Sequence, residues 1–90
     1  MSRRDLTEDI ERMLSAPEVD TEALRRRLSG VHPIDIAVVL RNLDGEQKLR
    51  VLDALEPETL ALVLDETDIE TKKAYLEQAR RDELTTVLER

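Results

Sequence analysis

The sequence predicts an all-α domain, a right-handed superhelix (α-solenoid) of about seven short helices built on a 12-residue repeat. Three observations predict it. Leucine recurs at positions 28, 40, 52, 64, 76 and 88, six times at one spacing. Pro33, Gly45 and Pro57 share one column, the second residue of the units that begin at 32, 44 and 56. The third observation is arithmetic. Twelve residues at about 100° each run about 120° past whole turns, so one long helix would scatter these leucines over three faces. Proline suits the first turn of a helix and breaks its interior, so each unit reads as one short helix and a tight turn.

The elements follow in order. Leu6, Ile10, Met13 and Leu14 lie at helical spacing in an opening helix that Pro17 closes. This opening segment, 1–19, is out of phase with the repeats of 20–90, and the two form a single domain over 1–90. Asp20 is placed to cap a second helix whose apolar face is Leu24 and Leu28, and Gly30 follows where a left-handed residue is expected. His32-Pro33 opens the third helix, the most apolar of the set, with Ile34, Ile36, Ala37, Val39 and Leu40. Asp44 and Gln47 match a capping box for the fourth helix, Pro57 starts the fifth, and Thr67 with Glu70 is a capping-box candidate for the sixth. Tyr75 stands in a column otherwise filled by Val39, Val51, Val63 and Val87, as a gap-filling core residue. The last helix is expected to begin near Arg81. Helices of nine or ten residues, roughly 14 Å long, are marginal alone and gain stability by stacking. In this register Leu40, Leu52 and Leu64 are buried. No polar cap follows Val87-Leu88, so the array is expected to be truncated at its C-terminal end.

Composition narrows the functions. Aromatic residues are 1% of the chain, so the core is built of Leu, Val, Ile and Ala. Charged residues are 39%, which favours disorder, but the regular Leu and Val columns oppose it. Without cysteine there is no disulfide framework and no thiolate zinc site. There is neither an apolar run long enough to span a membrane nor a secretory h-region, so a cytoplasmic location without direct membrane insertion is expected. One histidine and two glycines leave no nucleophile–base set and no phosphate loop, so the chain is not expected to be an enzyme. His32 is a possible ligand or base, but its position before Pro33 favours contact with first-turn amides at a helix start. Arg25-Arg26-Arg27 reads as a solvated helix face, with docking to an acidic partner or lipid headgroup as the alternative.

Net charge is −7, and residues 43–70 alone hold that excess, with Lys48 and Arg50 against nine acids. Nucleic acid is an unsuitable partner for such a block. Acids at helix starts are stabilised by the helix dipole, and this accounts for Asp44, Glu46, Glu56, Glu58, Asp68 and Glu70 without a ligand. The alternative is divalent-cation sensing, because Mg²⁺ keeps several waters and needs only one or two carboxylates. On that reading the metal residues are Asp65, Glu66, Asp68 and Glu70, in the densest acidic stretch.

Residues 28–55, with His32, Pro33 and Asp35 in a His-Pro-x-Asp element, and the following run 56–67 resemble the N-terminal cytosolic domain of MgtE-type magnesium transporters. The resemblance covers 20–90. It implies a superhelix of short helices that regulates magnesium transport. In that family Mg²⁺ bridges acids of this domain to adjoining CBS modules and holds a membrane pore closed. The implied partners are therefore a CBS-domain module and the membrane pore, in a homodimer, at the cytosolic face of the inner membrane. The flagellar motor-switch protein has a similar superhelix, which leaves a metal-independent protein-interaction scaffold as the alternative.

Overall fold

The computed structural model describes residues 3–88, with side chains over 5–84. Among the described residues there are six α-helices and no strand: α1 Arg3–Leu14, α2 Thr21–Leu28, α3 Pro33–Leu40, α4 Gly45–Ala54, α5 Pro57–Glu66 and α6 Ile69–Leu88. The all-α class therefore holds. None of these helices is long and apolar enough to cross a membrane.

Each boundary has a local cause. Ser15 ends α1 by turning its N–H and its hydroxyl back to the Glu11 carbonyl, at 3.0 and 2.8 Å. Asp20 caps α2 by accepting from the Ala23 N–H at 3.1 Å. Gly30 has φ +80°, in the left-handed region, and a Cβ there would meet nothing within 4 Å. Gly30→Ala is thus expected to cost about 1–2 kcal/mol through backbone strain alone, measurable by urea denaturation. His32 caps α3: its Nδ1 accepts from the Ile34 N–H at 3.1 Å, and Pro33 holds the first helical position. Asp44 and Gln47 form the full capping box of α4.

The helices stack on their next-but-one neighbours: α1 on α3, α2 on α4, α3 on α5 and α4 on α6. Two rows result, one of odd and one of even helices, and the molecule is elongated, 45 × 29 × 22 Å. This is how helices of eight to ten residues become stable, since each buries one stripe against a helix two steps along. The core is one continuous cluster running from Leu6, Ile10 and Leu14 of α1 to Val63 of α5. Val39, Val51 and Val63 are fully buried, so the valine column is the innermost line of the repeat. The leucine column is less uniform. Leu40 and Leu52 are buried, Leu64 is only partly covered, and Leu76 is 51% exposed. Tyr75 is half-buried against the core, and that burial, with Asp53 and Asp82 adding to it, pushes its phenol above the ordinary tyrosine range.

Two sequence expectations are corrected. The seventh helix does not exist as a separate element: α6 runs unbroken from Ile69 to Leu88, through the expected start at Arg81. The column that holds Pro33, Gly45 and Pro57 holds Ile69 and then Arg81, so nothing at Arg81 breaks the helix. Thr67 does not cap α6. It ends α5, and its hydroxyl donates to the Leu64 carbonyl at 3.0 Å. The residue before α6 is Asp68, whose carboxylate bonds Thr71.

The arginine run is neither a solvated face nor a free docking patch. Arg27 donates from Nε and Nη2 to Asp9 Oδ2 at 3.1 and 2.9 Å, tying α2 to α1. Arg25 donates from Nε to the Ala54 carbonyl at 3.0 Å, which satisfies a carbonyl in the last turn of α4. Of the three, Arg26 is exposed, while Arg25 and Arg27 are half-buried.

Candidate functional site

The acidic stretch falls at the junction of α5 and α6. Asp65 and Glu66 end α5, Asp68 stands before α6, and Glu70 lies in its first turn. All four are exposed. Because α5 stacks on α3 and α6 on α4, the junction is brought against Arg41 and Lys48, which are distant in sequence.

The four acids are shared among three clefts. Glu66 and Asp68 line one of about 370 Å³ together with Arg41, Lys48 and Thr71. Asp68 and Glu70 line a second, of about 210 Å³, on the other side of Lys48. Asp65 and Glu66 border a third, of about 320 Å³, beside His32, Ile34 and Leu62. Bases are set among these acids. Asp65 is paired with Lys72 at 3.9 Å, a long and exposed contact of little energy. The hydrogen bond from Thr71, assisted by the charge of Lys48, holds the Asp68 carboxyl below its ordinary value. Arg41, Lys48 and Thr71 are the site residues that sequence reasoning missed. Only Lys48 gave a signal, as one of two bases inside the acidic block.

Asp68 makes a pH prediction. A carboxylate with a lowered folded-state pKa contributes stability above its unfolded value and loses it as pH falls through the folded one. The parent is therefore expected to melt above Asp68→Asn at neutral pH. The difference should close below the ordinary aspartate range. A melting series against pH checks this, and a gap of constant size would assign the effect to packing.

Among the described residues no three His, Cys, Asp or Glu side chains converge as an ion-binding set. A closed protein cage for Mg²⁺ is therefore not built here. Asp65, Glu66, Asp68 and Glu70 are exposed and divided among three clefts, so they do not form one ligand set among themselves. Each offers carboxylate oxygens to solvent, and a hydrated Mg²⁺ needs only one or two of them.

No curated protein and no solved structure gives a match to the chain. A family model described as the MgtE intracellular N domain matches residues 31–90. That span begins just after Gly30, covers α3 to α6 and contains the whole acidic junction. With two thirds of its length matched, the chain belongs to the MgtE intracellular N domain family.

Proposed function

We propose that this chain is the cytosolic regulatory domain of a magnesium transporter or channel. On this reading it senses Mg²⁺ through Asp65, Glu66, Asp68 and Glu70 and gates the pore through adjoining CBS modules. The observation that carries it is the acidic junction, which lies inside the family span and exposes its carboxylates without closing a ligand set. Such a surface gains most when a second acidic surface faces it. Without divalent cation the two faces repel, and a hydrated Mg²⁺ between them turns repulsion into a bridge. Like charges at this junction thus serve as the spring, and the metal as the latch. Asp68, whose carboxyl is held below its ordinary value by Thr71 and Lys48, is the member most readily ionised, while Asp65 must exchange its weak pairing with Lys72.

The bases Arg41, Lys48 and Lys72 favour a second reading. They already offset part of the junction's charge, as a metal-independent interaction scaffold of the motor-switch type would require. One experiment separates the two. Mg²⁺ is titrated into the chain with a CBS module present, at ionic strength held constant with Na⁺, and the parent is compared with Asp65→Asn/Asp68→Asn. Sensing predicts that binding to the module tightens with Mg²⁺ in the parent, that the double variant loses most of this gain, and that the metal raises the melting temperature of the complex. Binding that is equally tight at all Mg²⁺ levels in both proteins assigns the scaffold function instead.

A further inference from the structure

Asp44 is the one aspartate in the sequence that glycine follows. The others precede residues whose Cβ crowds the next backbone nitrogen, among them the isoleucines after Asp9, Asp35 and Asp68. The uncrowded nitrogen of Gly45 matters because it can close a five-membered ring on Cγ of Asp44. Gly45 is the first residue of α4, so its N–H has no acceptor within the helix. A Cβ at Gly45 would meet nothing within 4 Å, so packing does not demand glycine here.

The fold holds the two reactive groups apart. Asp44 Oδ1 accepts from the Gln47 N–H at 2.8 Å, and the Asp44 N–H donates to Gln47 Oε1 at 3.2 Å. The ψ of Asp44 is 173°, which turns its Cβ out of the plane of the following peptide. Ring closure needs Cβ in that plane. The capping box and the first helical bond, from the Lys48 N–H to the Asp44 carbonyl at 2.9 Å, maintain this arrangement. Asp44, Gly45 and Glu46 are all exposed, so the turn can open without uncovering the core. Such openings cost far less than global unfolding.

We propose that Asp44–Gly45 is a self-modification site: Asp44 isomerises to isoaspartate when the first turn of α4 frays, and the capping box sets the rate. In the opened turn the Gly45 nitrogen attacks Cγ of the protonated carboxyl. An N–C bond forms, the C–OH bond breaks, and the hydroxyl leaves as water with the amide proton. Water then opens the cyclic imide. Addition at Cγ restores aspartate, and addition at the backbone carbonyl carbon leaves the main chain running through Cβ and Cγ. Mass and charge are unchanged, and no oxidant or cofactor is required. The main chain has gained a methylene, and the carboxylate now sits on Cα, so the cap of α4 is lost. Because α4 stacks on both α2 and α6, this bears on the middle of the even row.

The test is ageing of the whole 90-residue chain in its folded state. Tryptic peptide 42–48 is followed by liquid chromatography and mass spectrometry. The isoaspartyl form keeps the mass, shifts in retention and resists an endoproteinase that cleaves before aspartate. The parent is expected to accumulate it at Asp44. Gln47→Ala removes the acceptor of the Asp44 N–H and should accelerate conversion about two- to tenfold, the change in open population that one hydrogen bond controls. Gln47→Glu retains an acceptor and should convert at the parent rate. Gly45→Ala sets a methyl beside the nitrogen and should lose the product. Far-UV circular dichroism checks that each variant keeps its helices. If Gln47→Ala does not, the parent with and without urea below its unfolding midpoint replaces that comparison, with faster conversion expected in urea. A folded parent that stays unmodified while the urea-unfolded chain converts overturns the proposal. So do equal rates in the parent and Gln47→Ala, a Gln47→Glu rate as high as that of Gln47→Ala, or a Gly45→Ala rate equal to the parent's.

Discussion

Leu52→Ala is expected to lower the folding free energy by about 2–5 kcal/mol. Leu52 is fully buried on α4, the helix that stacks on both α2 and α6. Truncation removes the transfer energy of three heavy atoms and leaves a cavity whose walls cannot close freely. Those walls belong to short helices held by the same cluster. Total stability for a domain of this size is of the order of 5–10 kcal/mol, so the loss is a large fraction of it. The aliphatic core sharpens the expectation. The chain has no Phe or Trp, and its one aromatic residue, Tyr75 on α6, is already packed against the core. Leu62→Ala is the internal control, since Leu62 is 55% exposed and its truncation should change stability by less than about 1 kcal/mol. Urea denaturation measures both. A loss below about 1 kcal/mol for Leu52 would place the repeat register elsewhere.

The same register shows what the sequence made legible and what it did not. Helix boundaries were legible because their causes are local: Pro33 and Pro57 at first positions, Asp20 and the Asp44–Gln47 box at N-terminal caps, and Gly30 in the left-handed region after α2. Burial was legible where the stack is complete, at Leu40 and Leu52. It failed at Leu64, which is only partly covered, because the period specifies a position within a unit and not whether a neighbouring helix covers it. The acidic junction was legible as composition. Its interleaving with Arg41 and Lys48 was not, because those bases arrive by the stacking of α5 on α3 and α6 on α4. Arg25 and Arg27 follow the same logic. Their partners, Ala54 and Asp9, lie on other helices, and nothing in a basic run announces an interhelix tie.

Proline placed at the same repeat column is expected to give opposite results in two successive units. Ile69→Pro should be neutral within about 0.5 kcal/mol, or mildly stabilising. Ile69 is the first residue of α6, where the N–H has no partner within the helix, and the substitution restores the residue found at positions 33 and 57. Arg81→Pro should cost about 3 kcal/mol of helix stability and reduce the far-UV helical signal beyond position 80. At that position the ring removes the N–H that bonds four residues back and collides with the carbonyl of Glu77. The contrast carries the argument, because both sites are the second residue of a twelve-residue unit and both are exposed. Only the continuity of α6 through residues 80 and 81 distinguishes them. If Arg81→Pro is as well tolerated as Ile69→Pro, the unit boundary at Arg81 is a true helix break and the seventh helix is real.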